Sequence, residues 1–169
     1  MNLNNTKFLI ASLLAVFILC QLNLAAQDTT ARIYDPGADA MKDIRIAIDK
    51  AGKENKHVLI QVGGNWCPWC LKLHSFISAQ SQLDSLIKAD YIFVYVNYSK
   101  ENKNPEAMSF LQFPQRFGFP VLVILDGNGK RIHTQDTSYL EKDNSYDADK
   151  IKNFLLNWNY RAVQGKTYR

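Results

Sequence analysis

Apolar positions along this chain recur with two periods, and a third, continuous pattern stands at its start. Residues 8–20 form an almost unbroken apolar run after Lys7, which closes on Leu24-Ala25-Ala26 before the polar Gln27-Asp28-Thr29-Thr30. A basic residue, a short apolar run and small residues at the end make an export signal over residues 1–26. An uncleaved membrane anchor is the second reading of the same run. Lipid attachment at Cys20 would want a small residue before it, and Leu19 stands there. Residues 27–38 are a polar lead-in ending in the turn-forming Asp35-Pro36-Gly37, and residues 39–169 carry the pattern of one domain.

Within that domain the periods alternate. Asp39 is placed to cap a helix in which Ala40, Ile44, Ala47, Ile48 and Ala51 share a face and Gly52-Lys53 supply the stop. The run 57–62 predicts a buried strand that enters Gly63-Gly64. Leu73, Phe76 and Ile77 continue a helical face, and 81–88 forms a short second helix with Leu83, Leu86 and Ile87 inward. A strand over 91–97, a polar stretch over 98–104 and a helix over 105–112 follow, then a hairpin of 120–125 and 130–134 around Asp126-Gly127-Asn128-Gly129. A last helix starts near Asp147 with Ile151, Phe154, Leu155 and Trp158 on its core face. Alternating strands and helices followed by an antiparallel ending predict an α/β fold.

The net charge of +4 comes from 20 basic and 16 acidic residues that are interspersed rather than clustered, so nucleic acid is not an expected partner. Runs such as Lys100-Glu101-Asn102-Lys103 are expected at the solvated surface. Removal of residues 1–26 would leave Cys67 and Cys70 as the only two of the three cysteines. They lie three positions apart where a strand gives way to a helix, in Gly63-Gly64-Asn65-Trp66-Cys67-Pro68-Trp69-Cys70. Two such thiols can close a disulfide and reopen it. At a helix N-terminus the Cys67 thiolate would meet free N–H groups and the positive end of the dipole, whereas Cys70, one turn on, faces inward. Pro68 in the first turn deletes no helical hydrogen bond.

The Trp-Cys-x-x-Cys motif after a strand, followed by Phe119-Pro120 opening a strand and a Gly-rich hairpin, resembles the thioredoxin fold, in particular exported bacterial thioredoxin-like proteins with an added N-terminal helix. The likeness covers residues 57–158. It implies a central mixed sheet flanked by helices, Cys67 as nucleophile, Cys70 as resolving thiol, and a cis Pro120 facing the disulfide. An ordinary trans proline opening an edge strand is the alternative. If cis, the Phe119 backbone would present its polar groups to an extended substrate strand. Trp69 would give an apolar rim, and Trp66 either borders the cleft or caps the core. One departure from the family is plain: Gln61 holds the strand position where thioredoxins carry a buried acid that moves protons to and from the resolving thiol, and Gln is no base. The Thr-Val-Pro step of glutaredoxins is absent, which leaves glutathione use unsupported.

These features predict an exported, periplasmic or otherwise extracytoplasmic thiol–disulfide oxidoreductase that needs no cofactor. Its partners would be protein thiols and disulfides, with a membrane electron donor keeping it reduced as a reductase or isomerase. Substrate contacts would fall on Trp66, Pro68, Trp69, Phe119 and Pro120. Two alternatives stand beside it. One is a redox-sensing chaperone or docking module without turnover, favoured by Gln61. The other is a thiolate copper site, since Cys67, Cys70 and His74 fall at helical spacing and soft thiolates select copper, although a structural zinc site would want a fourth ligand and His57 and His133 are remote in sequence. Phe110, Phe113 and Phe117 are expected to pack in core and loop, with a partner-docking patch as the alternative.

Overall fold

The computed structural model describes residues 32–165; the segment read as an export signal lies outside them. Helix α1 (Ala40–Glu54) starts at Asp39, whose side chain accepts from the Lys42 amide, and ends at Asn55 in the left-handed region. Strand β1 (His57–Gly63) leads into α2 (Pro68–Ser78), and α3 (Ser81–Asp90) follows one short turn later. Strand β2 (Tyr91–Asn97), helix α4 (Pro105–Phe110) and a single 3₁₀ turn (Pro114–Phe117) precede the hairpin of β3 (Val121–Leu125) and β4 (Arg131–Asp136). A two-stranded ribbon, β5 (Glu141–Lys142) and β6 (Ser145–Tyr146), then turns the chain into α5 (Ala148–Asn157) and a last turn, α6 (Tyr160–Val163).

The four long strands form one mixed sheet in the order β2-β1-β3-β4, with β1 parallel to β2 and antiparallel to β3. Period-two alternation divides the core. Val58, Ile60 and Val62 of β1 and Val121, Val123 and Leu125 of β3 face α1 and α4, whose Ile44, Ala47 and Met108 cover them. Leu59, Leu122 and Ile124 point the other way, onto Leu73 of α2, Leu83 of α3 and Phe154 of α5. All seven residues of β1 are buried because both faces of this central strand are covered by helices. The same alternation places Gln61 on the α2 side. This is the expected mixed sheet flanked by helices, with α1 added ahead of β1.

Several expectations need correction. Helix α4 stops at Phe110 rather than at residue 112, because Gln112 and Phe113 are both left-handed, with φ of 60° and 57°. Leu111 takes the core position, fully buried, and the rings of Phe110, Phe113 and Phe117 turn outward, at 40%, 55% and 40% exposure, instead of packing inside. Helix α5 ends at Asn157, so Trp158 packs against the core as expected but stands just past the helix, stacked on His133 at 4.1 Å between centroids. Strand β4 runs to Asp136, beyond the predicted end at residue 134. The charged run at 100–103 is exposed at Lys100, Glu101 and Lys103, but Asn102 is half-buried and ties the loop to Pro36 O at 3.0 Å.

Candidate active site

Strand β1 delivers the chain to the thiols through Gly63 and Gly64, and neither position has room for a side chain. A Cβ on Gly63 would lie 2.5 Å from Cys70 Sγ and 2.7 Å from Tyr34 Oη, and one on Gly64 would collide with the Trp66 indole. The turn closes with Cys67 N donating to Gly64 O at 3.0 Å, and Cys67 then serves as the N-cap of α2 with Pro68 in the first turn. Its extended backbone lets Sγ accept the Cys70 amide at 3.1 Å, satisfying one of the donors that a helix start leaves free. Cys67 and Cys70 are joined as a disulfide with their Cα atoms 5.2 Å apart. Cys67 is 4% exposed and Cys70 fully buried, so the outer sulfur is the one that solvent or a partner can reach.

The Phe119–Pro120 peptide is cis. Phe119 packs against the cluster of Tyr34, Cys67 and Cys70 and meets the Trp66 ring edge-on at 5.4 Å, which brings this loop to the thiols. Trp66 does not cap the core: it is 56% exposed, and its indole N–H donates to Tyr98 O at 2.7 Å. Its free face lines a groove of about 450 Å³ with Tyr98, Ser99, Lys100, Glu101 and Lys103. Pro68 is exposed beside it. Trp69 is half-buried, perpendicular to Tyr146 at 5.5 Å, with the Lys72 ammonium 4.2 Å over its ring.

Behind the disulfide the pocket is polar yet uncharged. Gln61, fully buried, donates through Nε2 to Tyr34 Oη at 2.6 Å and to Cys70 O at 3.1 Å, while its Oε1 has no hydrogen-bond partner. Turning the amide round would face its oxygen at the Cys70 carbonyl oxygen, so the orientation with Nε2 between both oxygens is the one that satisfies them. Tyr34 comes from the segment read as a lead-in. Its hydroxyl is pushed well above the ordinary phenol range by burial, which outweighs the hydrogen bond from Gln61. Asn65 clamps Tyr34 in place: its side chain accepts from Tyr34 N at 3.1 Å and donates to Tyr34 O at 2.7 Å. Sequence reasoning missed Tyr34 and Asn65, since neither lies on a periodic face. Tyr95 of β2 meets Tyr34 edge-on, and burial pushes its phenol up to about 12.

His74 is not brought to the thiols as a third ligand. Its Nδ1 is 2.7 Å from Tyr95 Oη, and among the described residues no three His, Cys, Asp or Glu side chains converge as a metal site. His57 is buried at 2.8 Å from Trp158 O, and His133 stacks on Trp158, which places both away from the thiol cluster. Among the described residues, no helix is long and apolar enough to cross a membrane.

Comparison with known proteins agrees with this geometry. A curated relative, the disulfide bond reductase DsbH of Chlamydia pneumoniae, is 28% identical over 94 residues, which cover 51% of this chain and 55% of the relative. The chain thus spans about half the length of that relative. Among solved structures, a disulphide isomerase from Xylella fastidiosa Temecula1 superposes with a TM-score of 0.66 at 23% identity, covering 75% of this chain and 95% of the other, a likeness of fold. The family model described as a thioredoxin-like domain matches residues 44–148, from α1 to the start of α5. This chain belongs to the thioredoxin-like domain family.

Proposed function

We propose that the protein is an exported thiol–disulfide oxidoreductase that exchanges disulfides with protein substrates, Cys67 attacking and Cys70 resolving. The observation that carries this reading is the Cys67–Cys70 disulfide at the first turn of α2, with the outer sulfur capping the helix and the inner one sealed beneath it. A substrate disulfide would be attacked by the Cys67 thiolate, one substrate sulfur leaving as a thiolate that takes up a proton. Cys70 would then attack the mixed disulfide, releasing the second substrate sulfur and restoring the internal bridge. Trp66, Pro68, Trp69, Phe119 and Pro120 would bear the substrate chain, a reading supported by the packing of Trp69 and Phe119 against the Cys67 and Cys70 cluster.

A reductase or isomerase held reduced by a membrane donor is the direction we favour. The name of the Chlamydia relative supports it, and the apolar run over residues 1–26 supports export. Insulin reduction by dithiothreitol tests the reading: the wild-type chain should accelerate it and Cys67→Ser should abolish the acceleration. Equilibration against graded glutathione buffers then fixes the direction, a potential near the reducing end agreeing with a reductase. Gln61 favours a second reading, a redox-sensing docking module without turnover, because Gln cannot act as a base and no Asp or Glu is buried among the described residues. Equal insulin rates with and without the protein would select it.

A further inference from the structure

We propose that Tyr34 supplies the hydrogen-bond donor that meets the negative charge of the resolving sulfur, a role that rests on the exchange reading above and assigns a residue outside the 44–148 segment to that site. A resolving thiol must lose its proton before it can attack, and a sulfur with no exposure cannot have its anion hydrated. Some group in the protein must therefore take the place of water. Among the described residues no Asp or Glu is buried, so no carboxylate shares that interior.

The groups that do face Cys70 come from each element packed around it. The lead-in brings Tyr34, β1 brings Gln61 and Gly63, and β2 brings Tyr95, with Tyr146 of β6 near enough to act on Tyr34 electrostatically. The nearest ionisable nitrogen behind Tyr95 is His74, which faces that phenol rather than the sulfur. The Tyr34 oxygen and Cys70 Sγ both lie within 3 Å of one point above Gly63. Gln61 uses the phenol oxygen as an acceptor, which leaves the phenol proton unspent, and in the disulfide form that proton meets no acceptor among the described residues. A donor without an acceptor, buried beside a sulfur that becomes anionic in turnover, is arranged for that moment. The Asn65 clamp fixes its position and the Gln61 amide fixes its direction.

The chemistry balances without Tyr34 losing its proton. The Cys70 thiol gives its proton to solvent, its anion accepts the Tyr34 O–H, and the sulfur attacks Cys67 of the mixed disulfide. The Cys67–Cys70 bond forms, the bond from Cys67 to the substrate breaks, and the departing substrate sulfur carries the electron pair and takes up a proton. Burial of the phenol keeps it protonated throughout the range in which the thiol titrates.

The test follows the Cys70 midpoint directly, through the cysteine Cβ chemical shift by NMR in a Cys20→Ser, Cys67→Ser chain, whose single thiol is Cys70. Tyr34→Phe keeps the ring and removes the hydroxyl, and it should raise the midpoint by about one pH unit, the worth of one hydrogen bond to a charged group. A fluorotyrosine placed at position 34 by stop-codon suppression keeps the shape and strengthens the donor, and it should move the midpoint down. A merely structural role would move neither, or move both the same way, and either result overturns the proposal. Insulin reduction by the wild type is read separately. A chain that titrates as stated but reduces no insulin retains Tyr34 as the donor and defeats the exchange reading instead.

Discussion

The Cys70 amide donates to Cys67 Sγ at 3.1 Å, so the first turn of the helix already holds its outer sulfur in the position where a charge would be welcomed. When the bridge is reduced, the same amide and the dipole of α2 act on the Cys67 thiolate, and nothing comparable reaches the buried Cys70 from the helix end. The two thiols should therefore differ in reactivity. Brief treatment of the reduced protein with iodoacetamide near neutral pH, followed by peptide mass analysis, should label Cys67 at least about tenfold faster than Cys70. Equal labelling would show that the helix start does not discriminate between them.

Gly63 is the one residue of β1 whose missing side chain the site requires. Gly63→Ala would press a methyl to 2.5 Å from Cys70 Sγ and 2.7 Å from Tyr34 Oη, and β1 is locked between β2 and β3 and cannot retreat. A cost of about 1–3 kcal/mol is expected for such overpacking. Urea unfolding of oxidised and reduced protein should show the variant less stable in both forms. A variant as stable as the wild type would mean that the phenol moves aside freely.

The placement of the thiols was legible in the sequence because it rests on local signals. A continuous apolar run, two glycines, and Cys-Pro at a helix start each say where the chain turns; β1 ends within a residue of the expected strand, and α2 starts at Pro68, directly after Cys67. Burial carried by distant partners was not legible. Tyr34 sits in a polar stretch, and the Asn65 that holds it is 31 positions away, so nothing nearby marks it as interior. The aromatic rings after α4 failed for a related reason. Phe110, Phe113 and Phe117 look like core residues until Gln112 and Phe113 adopt left-handed backbone, which few non-glycine residues do and no periodicity announces.

Helix α5 offers a test of acid behaviour away from the thiols. Asp147 caps it by accepting from Asp149 N at 2.9 Å and Lys150 N at 3.1 Å, and these backbone donors, that of Lys150 first, hold its carboxyl below the usual range. A lowered folded pKa means that the contribution is present above the unfolded value and is lost as pH falls through the folded one. Asp147→Asn can keep the cap but does not titrate. Its urea midpoint should therefore fall less steeply than that of the wild type as pH drops through and below the ordinary Asp value of about 3.9. Parallel curves would place the acid loss elsewhere.

Gln61 and Tyr34 make the pocket behind Cys70 neutral, and Gln61→Glu would put a carboxyl into it with little change in shape. Full burial raises a carboxyl's folded pKa, and a donor to Cys70 O from position 61 survives only as the O–H of the protonated acid. A raised folded pKa gives the opposite sign to Asp147: the variant keeps its stability below the unfolded value of about 4.3 and loses about 1.4 kcal/mol per pH unit above it, levelling beyond the folded value. Insulin reduction should change in the other direction. As the acid ionises, its carboxylate can take the Cys70 proton, so the variant's rate relative to wild type should rise with pH up to the folded value, across the range where its stability falls, and hold above it. Denaturant midpoints and turnover measured on the same samples check both slopes, and a Gln61→Glu chain with flat profiles would mean that the pocket admits enough water to ionise the acid at no cost.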